Sequence, residues 1–251
     1  MLPEITQEEL SAALDALSRE LLAEAAVQPP VNAALIAEKL GLHVALNALL
    51  PERGRFMRLR DRAGRVPRGS ILVRPDERPE RLQWAIAHEI GEATAYRVFD
   101  ALGVRPDEVP AGARETVANL LAARVLLPRD AFISCARTND WNLTALKQAF
   151  VTASHELIAR RMLDFDLPIA ITIWDNGRRT FRRANFGRRA PPVTDHERAC
   201  RDKAHATGEA ALQQAGGCTM QVWPIHEPEW KREILRTCWP DSQDVEESKW
   251  T

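Results

Sequence analysis

The residues with the clearest capacity for chemistry are His88-Glu89-Ile90-Gly91-Glu92, inside an unbroken helical stretch. On an α-helix, positions four apart share a face, so side chains at 88 and 92 can converge on one ion. Glu89 projects beside them, where a general base for an activated water would stand. Ala85, Ile86 and Ala87 precede the histidine and form a dry wall behind it. Gly91 weakens a helix by about 1 kcal/mol relative to alanine, so a reason is expected: room for a second backbone or a substrate. A three-donor site needs another ligand. Glu115 opens the next expected helix, with Asn119 one turn later on its face. Glu115 is thus the candidate third ligand, and Asn119 a hydrogen-bonding support behind the ligands. A His-Glu pair by itself is weak evidence, because such pairs on amphipathic helices are commonly solvated surface.

The elements that must position these residues are legible from periodicity and breakers. Thr6 with Glu9 makes a capping box, and Leu10, Leu14, Leu17 and Leu21 follow at helical spacing until Pro29-Pro30. That helix is expected to pack on its own domain rather than dock a partner. A second helix is expected over residues 32–40 and strands over 42–46, 55–59 and 70–73, with an arginine-rich turn around Ala63-Gly64. Pro79 opens a helix over 80–99, and a loop over 103–110 leads to a helix over 115–127 closed by Pro128. Leu143, Leu146, Phe150, Leu157, Ile158 and Met162 suggest two short helices about a turn at Val151-Thr152, a helix-turn-helix outline. After Pro168 the character changes. A strand over 169–174, the turn Asn176-Gly177 and a returning strand over 180–186 form a hairpin. A helix over 195–214 and strands near 219–223 and 233–239 complete a small α+β unit.

Composition limits the function classes. Hydrophobic residues are 45% and charged residues 27% of 251, and the formal net charge is −1. These are ordinary values for a globular protein and give no general case for nucleic acid. No apolar run approaches the ~20 residues that span a bilayer, and no secretory signal is evident, so a cytoplasmic protein without membrane contact is expected. Cys135, Cys200, Cys218 and Cys238 are widely spaced and are expected to be free. Local charge is less even: arginines 178, 179, 182, 183, 188 and 189 cluster, and the tail carries Asp241, Asp244, Glu246 and Glu247.

Three segments carry a family resemblance. They are Ile36-Ala37-Glu38-Lys39-Leu40-Gly41-Leu42, the run Arg81-Leu82-Gln83-Trp84-Ala85-Ile86-Ala87 leading into His88-Glu89, and Glu115-Thr116-Val117-Ala118-Asn119 with its closing Leu126-Leu127-Pro128. Over about residues 29–164 the chain resembles the ImmA/IrrE metallopeptidases. The resemblance implies a zincin-like, mainly helical metallopeptidase domain with a small sheet and a helix-turn-helix-like subdomain; with the small α+β C-terminal domain read from the segment after Pro168, the expected fold class is α+β. The expected boundaries are an N-terminal helix over 1–28, the peptidase domain over 29–165 and the C-terminal domain over 166–251. It also implies His88 as first metal ligand, Glu89 as general base, Glu115 as downstream ligand and Asn119 as its support. The implied activity is regulatory endopeptidase action on a protein substrate such as a helix-turn-helix transcriptional repressor. The family motif is HExxH, and here Glu92 replaces the second histidine. A His-Glu-Glu set can bind Zn2+, but two carboxylates reduce the ion's acidity and shift preference toward Mn2+ or another hard divalent cation.

Other residues carry competing readings. His155, in Ser154-His155-Glu156, could orient a transition-state oxygen or supply a ligand, against the plainer reading of a helix-start histidine. Tyr96 could donate to an oxyanion, with core packing favoured. The arginine hairpin reads as solvated surface ahead of an acidic or phosphate partner, and direct nucleic-acid binding is not expected. The segment from Trp223 through Pro224, His226-Glu227 and Pro228 to Trp230 is expected to be a rigid turn, since its prolines prevent a helix. Two functions therefore stand: a metal-dependent endopeptidase, and a catalytically impaired binding or sensor protein on the same scaffold.

Overall fold

Helix α1 (Gln7–Ala25) starts where its capping box places it: Thr6 Oγ1 accepts from the Glu9 N–H while the Glu9 carboxylate accepts from the Thr6 N–H. Leu14, Leu17, Leu21 and Leu22 are buried, and α1 packs against a later helix of its own unit through Ser18 Oγ, which donates to the Arg124 carbonyl. The computed structural model describes residues 5–59, 68–110 and 112–239. The turn at Ala63-Gly64 and the tail acids Asp241, Asp244, Glu246 and Glu247 lie outside the described residues. The chain forms two compact units, Met1–Asp140 with Leu146–Ser154, and Trp141–Ala145 with His155–Thr251.

In the first unit, Asn32 caps α2 (Ala33–Lys39), and β1 (His43–Leu46), β2 (Gly54–Leu59) and β3 (Arg68–Val73) form a small sheet. Its order is β1-β3-β2, with β1 parallel and β2 antiparallel to β3, so β2 is an edge strand. Helix α3 (Pro79–Ala101) carries proline in its first turn, where a missing N–H costs nothing, and packs beside β2, β3 and α4 (Ala113–Leu126). A further helix, α5 (Arg129–Thr138), buries Phe132 and Ala136. Sequence reading assigned nothing there, because Pro128 ends one helix and also stands at the N-cap of the next. The short helices α6 (Leu143–Ala149) and α7 (His155–Arg161) fall where the apolar spacing places them.

The second unit contains a five-stranded antiparallel sheet of β4 (Ile169–Asp175), β5 (Arg178–Ala184), β6 (Ala211–Ala215), β7 (Cys218–Glu227) and β8 (Trp230–Cys238), in the order β5-β4-β8-β7-β6. Helix α8 (Asp195–Thr207) covers one face, around Trp174, Cys200, Ala204, Met220, Val222 and Leu235. Two expectations need correction here. The helix expected over 195–214 stops at Thr207, because Gly208 turns the chain left-handed at φ 70°. Residues 211–215, though composed of helix formers, pair with β7 instead, so tertiary pairing overrides propensity. The proline-rich segment is not a rigid turn. Strand β7 continues through Pro224 to Glu227, and Glu227 pairs with Trp230 at the tip of a hairpin. Proline is tolerated because the β6 partner ends opposite Val222, so no neighbour on that side requires the missing N–H.

The closest approach of consequence lies between α3 and α4. A Cβ on Gly91 would stand 2.7 Å from the Ala118 carbonyl oxygen and 2.8 Å from its Cα. Glycine at 91 therefore lets the two backbones touch, which accounts for its helix-weakening presence. Gly91→Ala is expected to lower stability by about 1–2 kcal/mol in urea unfolding, overpacking outweighing the helix-propensity gain. A more stable variant would refute the contact.

Candidate metal centre

The α3–α4 contact sets two helical faces opposite each other. His88 and Glu92 lie one turn apart on α3, and Glu115 and Asn119 one turn apart on α4. One ligand atom from each of His88, Glu92 and Glu115 falls within 4.8 Å of the other two. The polar contacts fix the orientation of this set. Asn119 Nδ2 donates to Glu115 Oε1 at 2.9 Å and to the Glu115 carbonyl at 3.0 Å. Its Oδ1 must then be the atom 3.2 Å from His88 Nδ1, and an amide oxygen only accepts. His88 Nδ1 carries a proton and donates it, which in the neutral ring leaves the Nε2 lone pair facing Glu115 Oε2 at 3.5 Å. Two electron-rich atoms facing each other suit a cation between them. Asn119 therefore holds both a histidine and a carboxylate in ligand orientation.

The Glu89 side chain lies against Gly54 at the start of β2. It is 5% exposed, and burial pushes its carboxyl above the usual glutamate range. The neighbouring His88 and the Phe56 N–H, which donates to the carboxylate, pull it back, while Glu92 and Glu115 push in the same sense as burial. A Cβ on Gly54 would stand 2.7 Å from Glu89 Oε1, so glycine at the start of β2 allows the strand to lie against this carboxylate. Gly54 and Phe56 were not singled out from sequence. A glycine beginning a strand is a signal for close approach, but not for what approaches.

Glu92 has a partner that spacing could not show. Arg114 Nε lies 2.7 Å from Glu92 Oε2, and Arg114 Nη2 donates to the Glu92 carbonyl at 2.6 Å. One Glu92 oxygen is thus charge-compensated and the other remains for a ligand role. Tyr96 is not a core residue: it is 58% exposed, and with Ala93, Phe99, Val104 and Val109 it lines a cleft next to Glu92 and Arg114. His155 opens α7 in the second unit and is not one of the three converging ligand groups. The arginine cluster divides by role. Arg182 turns inward to the buried Glu197 at 3.1 and 3.2 Å, whereas Arg178, Arg179, Arg183, Arg188 and Arg189 are exposed on the hairpin and the loop after it. All four cysteines are free, and among the described residues no helix is long and apolar enough to cross a membrane.

Comparison with known proteins bears on the fold and the family. A solved Mycobacterium tuberculosis transcriptional regulator is similar in fold, with a TM-score of 0.63 at 16% identity over 90% of this chain and 75% of its own. No curated protein matches the chain. The family model for the peptidase M78, IrrE N-terminal-like domain matches residues 37–163, half of the chain, and includes α3, α4 and all four residues of the cluster. The chain belongs to the IrrE N-terminal-like, peptidase M78 family.

Proposed function

We propose that this protein is a metal-dependent endopeptidase with a regulatory task, cutting a protein such as a helix-turn-helix transcriptional repressor. The observation that carries the reading is the Asn119-oriented convergence of His88, Glu92 and Glu115 beside a buried Glu89. The donor set fits a divalent cation: one imidazole nitrogen with its lone pair directed inward and two carboxylates. His88, Glu92 and Glu115 would hold the ion, which when bound supplies a Lewis acid that polarises the scissile carbonyl and acidifies water. With two carboxylates in the set, Mn2+ or a similarly hard ion competes well with Zn2+.

The remaining chemistry belongs to the chain. Glu89 takes the proton from the attacking water and returns it to the leaving amine. Burial raises its pKa above that of an ordinary glutamate, which makes it a stronger base toward that proton than a solvated carboxylate would be. The edge strand β2 lies against Glu89, and among the described residues no strand pairs with its outer side. An extended peptide could pair there and bring its backbone past the carboxylate. The apolar cleft by Tyr96 and Phe99 suits a hydrophobic substrate side chain. A second reading, a binding or sensor protein on this scaffold, draws on the Arg114–Glu92 ion pair, which competes with any cation for that carboxylate.

Glu89→Gln is expected to abolish cleavage of a co-expressed repressor while leaving the fold at least as stable at neutral pH. The sign follows from burial. The charged form is penalised above the raised pKa, and the amide carries no charge to desolvate. Equal repressor loss with wild type and Glu89→Gln would overturn the enzymatic reading. For wild type, activity should fall as pH drops through the raised Glu89 pKa, above the range of an ordinary glutamate.

Metal binding gives a separate expectation. Glu115→Ala should lower Mn2+ occupancy sharply, and Asn119→Ala should weaken it about 10- to 100-fold. Arg114→Ala frees Glu92 and should tighten Mn2+ about two- to fivefold, the scale of an exposed ion pair. Unchanged affinity in Glu115→Ala would contradict the ligand set.

A further inference from the structure

A second group of metal-ligating side chains lies in the other unit, unrelated to the peptidase cluster. Glu233 stands on β8, two residues before Leu235, and so faces α8 with it. His226 comes from β7, where it pairs with Lys231, which places it diagonal to Glu233 on the hairpin. His205 comes from the last turn of α8, next to the buried Ala204. Helix, strand and neighbouring strand thus each contribute one donor. His205 Nδ1 lies 2.7 Å and His226 Nε2 2.8 Å from the same oxygen, Glu233 Oε1. One ligand atom from each residue lies within 4.8 Å of the others.

Glu233 is the second, independent observation. Its side chain is 0% exposed, and its other oxygen, Oε2, is buried without a hydrogen-bond partner among the described residues. A fully buried carboxylate oxygen with no partner is costly, and buried charges are ordinarily paired or bound to metal. The two imidazoles remain partly accessible, at 36% and 21%, so an ion has a way in.

We propose that His205 Nδ1, His226 Nε2 and the Glu233 carboxylate form a binding site for a divalent transition-metal ion. Two imidazoles and one carboxylate are the donor types zinc, cobalt and iron accept, and they leave coordination positions open to solvent. At bonds of about 2.0–2.1 Å, neighbouring donors of a tetrahedral ion lie about 3.3 Å apart. The present nitrogen–oxygen distances must open by about half an ångström, which small side-chain rotations supply. The bound ion draws on the buried carboxylate and ties α8 to the β7–β8 hairpin, so metal should stabilise this unit through linkage.

The test uses the full chain carrying His88→Ala, which removes the peptidase ligand and isolates the second site. Titrated with cobalt(II), this protein should take up one equivalent and develop the visible absorption of nitrogen- and oxygen-bound cobalt. Zinc should displace the cobalt and raise the Tm. Adding His226→Ala should abolish the absorption and the Tm shift, and adding His205→Ala should do the same. Both histidines are partly exposed, so either variant can lose its imidazole without opening the core, and circular dichroism checks the fold. Absence of cobalt uptake in His88→Ala, or uptake that survives both histidine substitutions, would overturn the site. Neither outcome bears on peptidase activity, so the two proposals can fail separately.

Discussion

The contact between Gly91 and Ala118 is the constraint from which the candidate centre follows. Two helices can face paired donors toward each other only if their axes come close enough for short side chains to meet. The missing Cβ at 91 allows this, with the α4 backbone occupying its place. His88 and Glu92 flank Gly91 along α3, and Glu115 and Asn119 flank Ala118 along α4. A larger side chain at 91 would separate all four. The same glycine costs helix stability, and buried contacts such as Ile86, Ile90, Leu121 and Ala122 on the two helices offset that cost.

Charge decides what the centre can hold. Glu92 and Glu115 bring two negative charges to one histidine, and Arg114 returns one positive charge to Glu92. Net charge at the donors is thereby closer to that of a two-histidine, one-carboxylate set than the ligand types alone imply. This softens the penalty that a second carboxylate places on the ion's acidity. Glu89 feels the same charges, since Glu92 and Glu115 raise its pKa as burial against β2 does, and in the proposed reaction it carries a proton and is not a ligand.

The helical relations were legible in the sequence because period four is enough to place 88 with 92 and 115 with 119. Elements with strong punctuation were equally plain, as with the Thr6 capping box, Pro79 and the Asn176-Gly177 turn. What escaped depends on tertiary approach. Arg114 is adjacent to Glu115, yet its partner is Glu92 on another helix, and Gly54 matters only because β2 meets Glu89. His205 lay in an expected helix drawn too long, and His226 in a segment expected to be a turn. Only the strand register that sets His226 diagonal to Glu233 unites them. Tyr96 looked like core by helical spacing, but the stripe it falls on faces an open cleft.

The central claim is that the α3–α4 cluster holds a divalent ion despite Glu92. Calorimetric titration of Mn2+ and Zn2+ into the His226→Ala chain, with and without Glu92→His, reads that cluster alone. The account predicts an ion bound in both proteins, with Zn2+ tighter after Glu92→His and the stronger relative preference for Mn2+ with Glu92 in place. Binding of neither ion by either protein would contradict it.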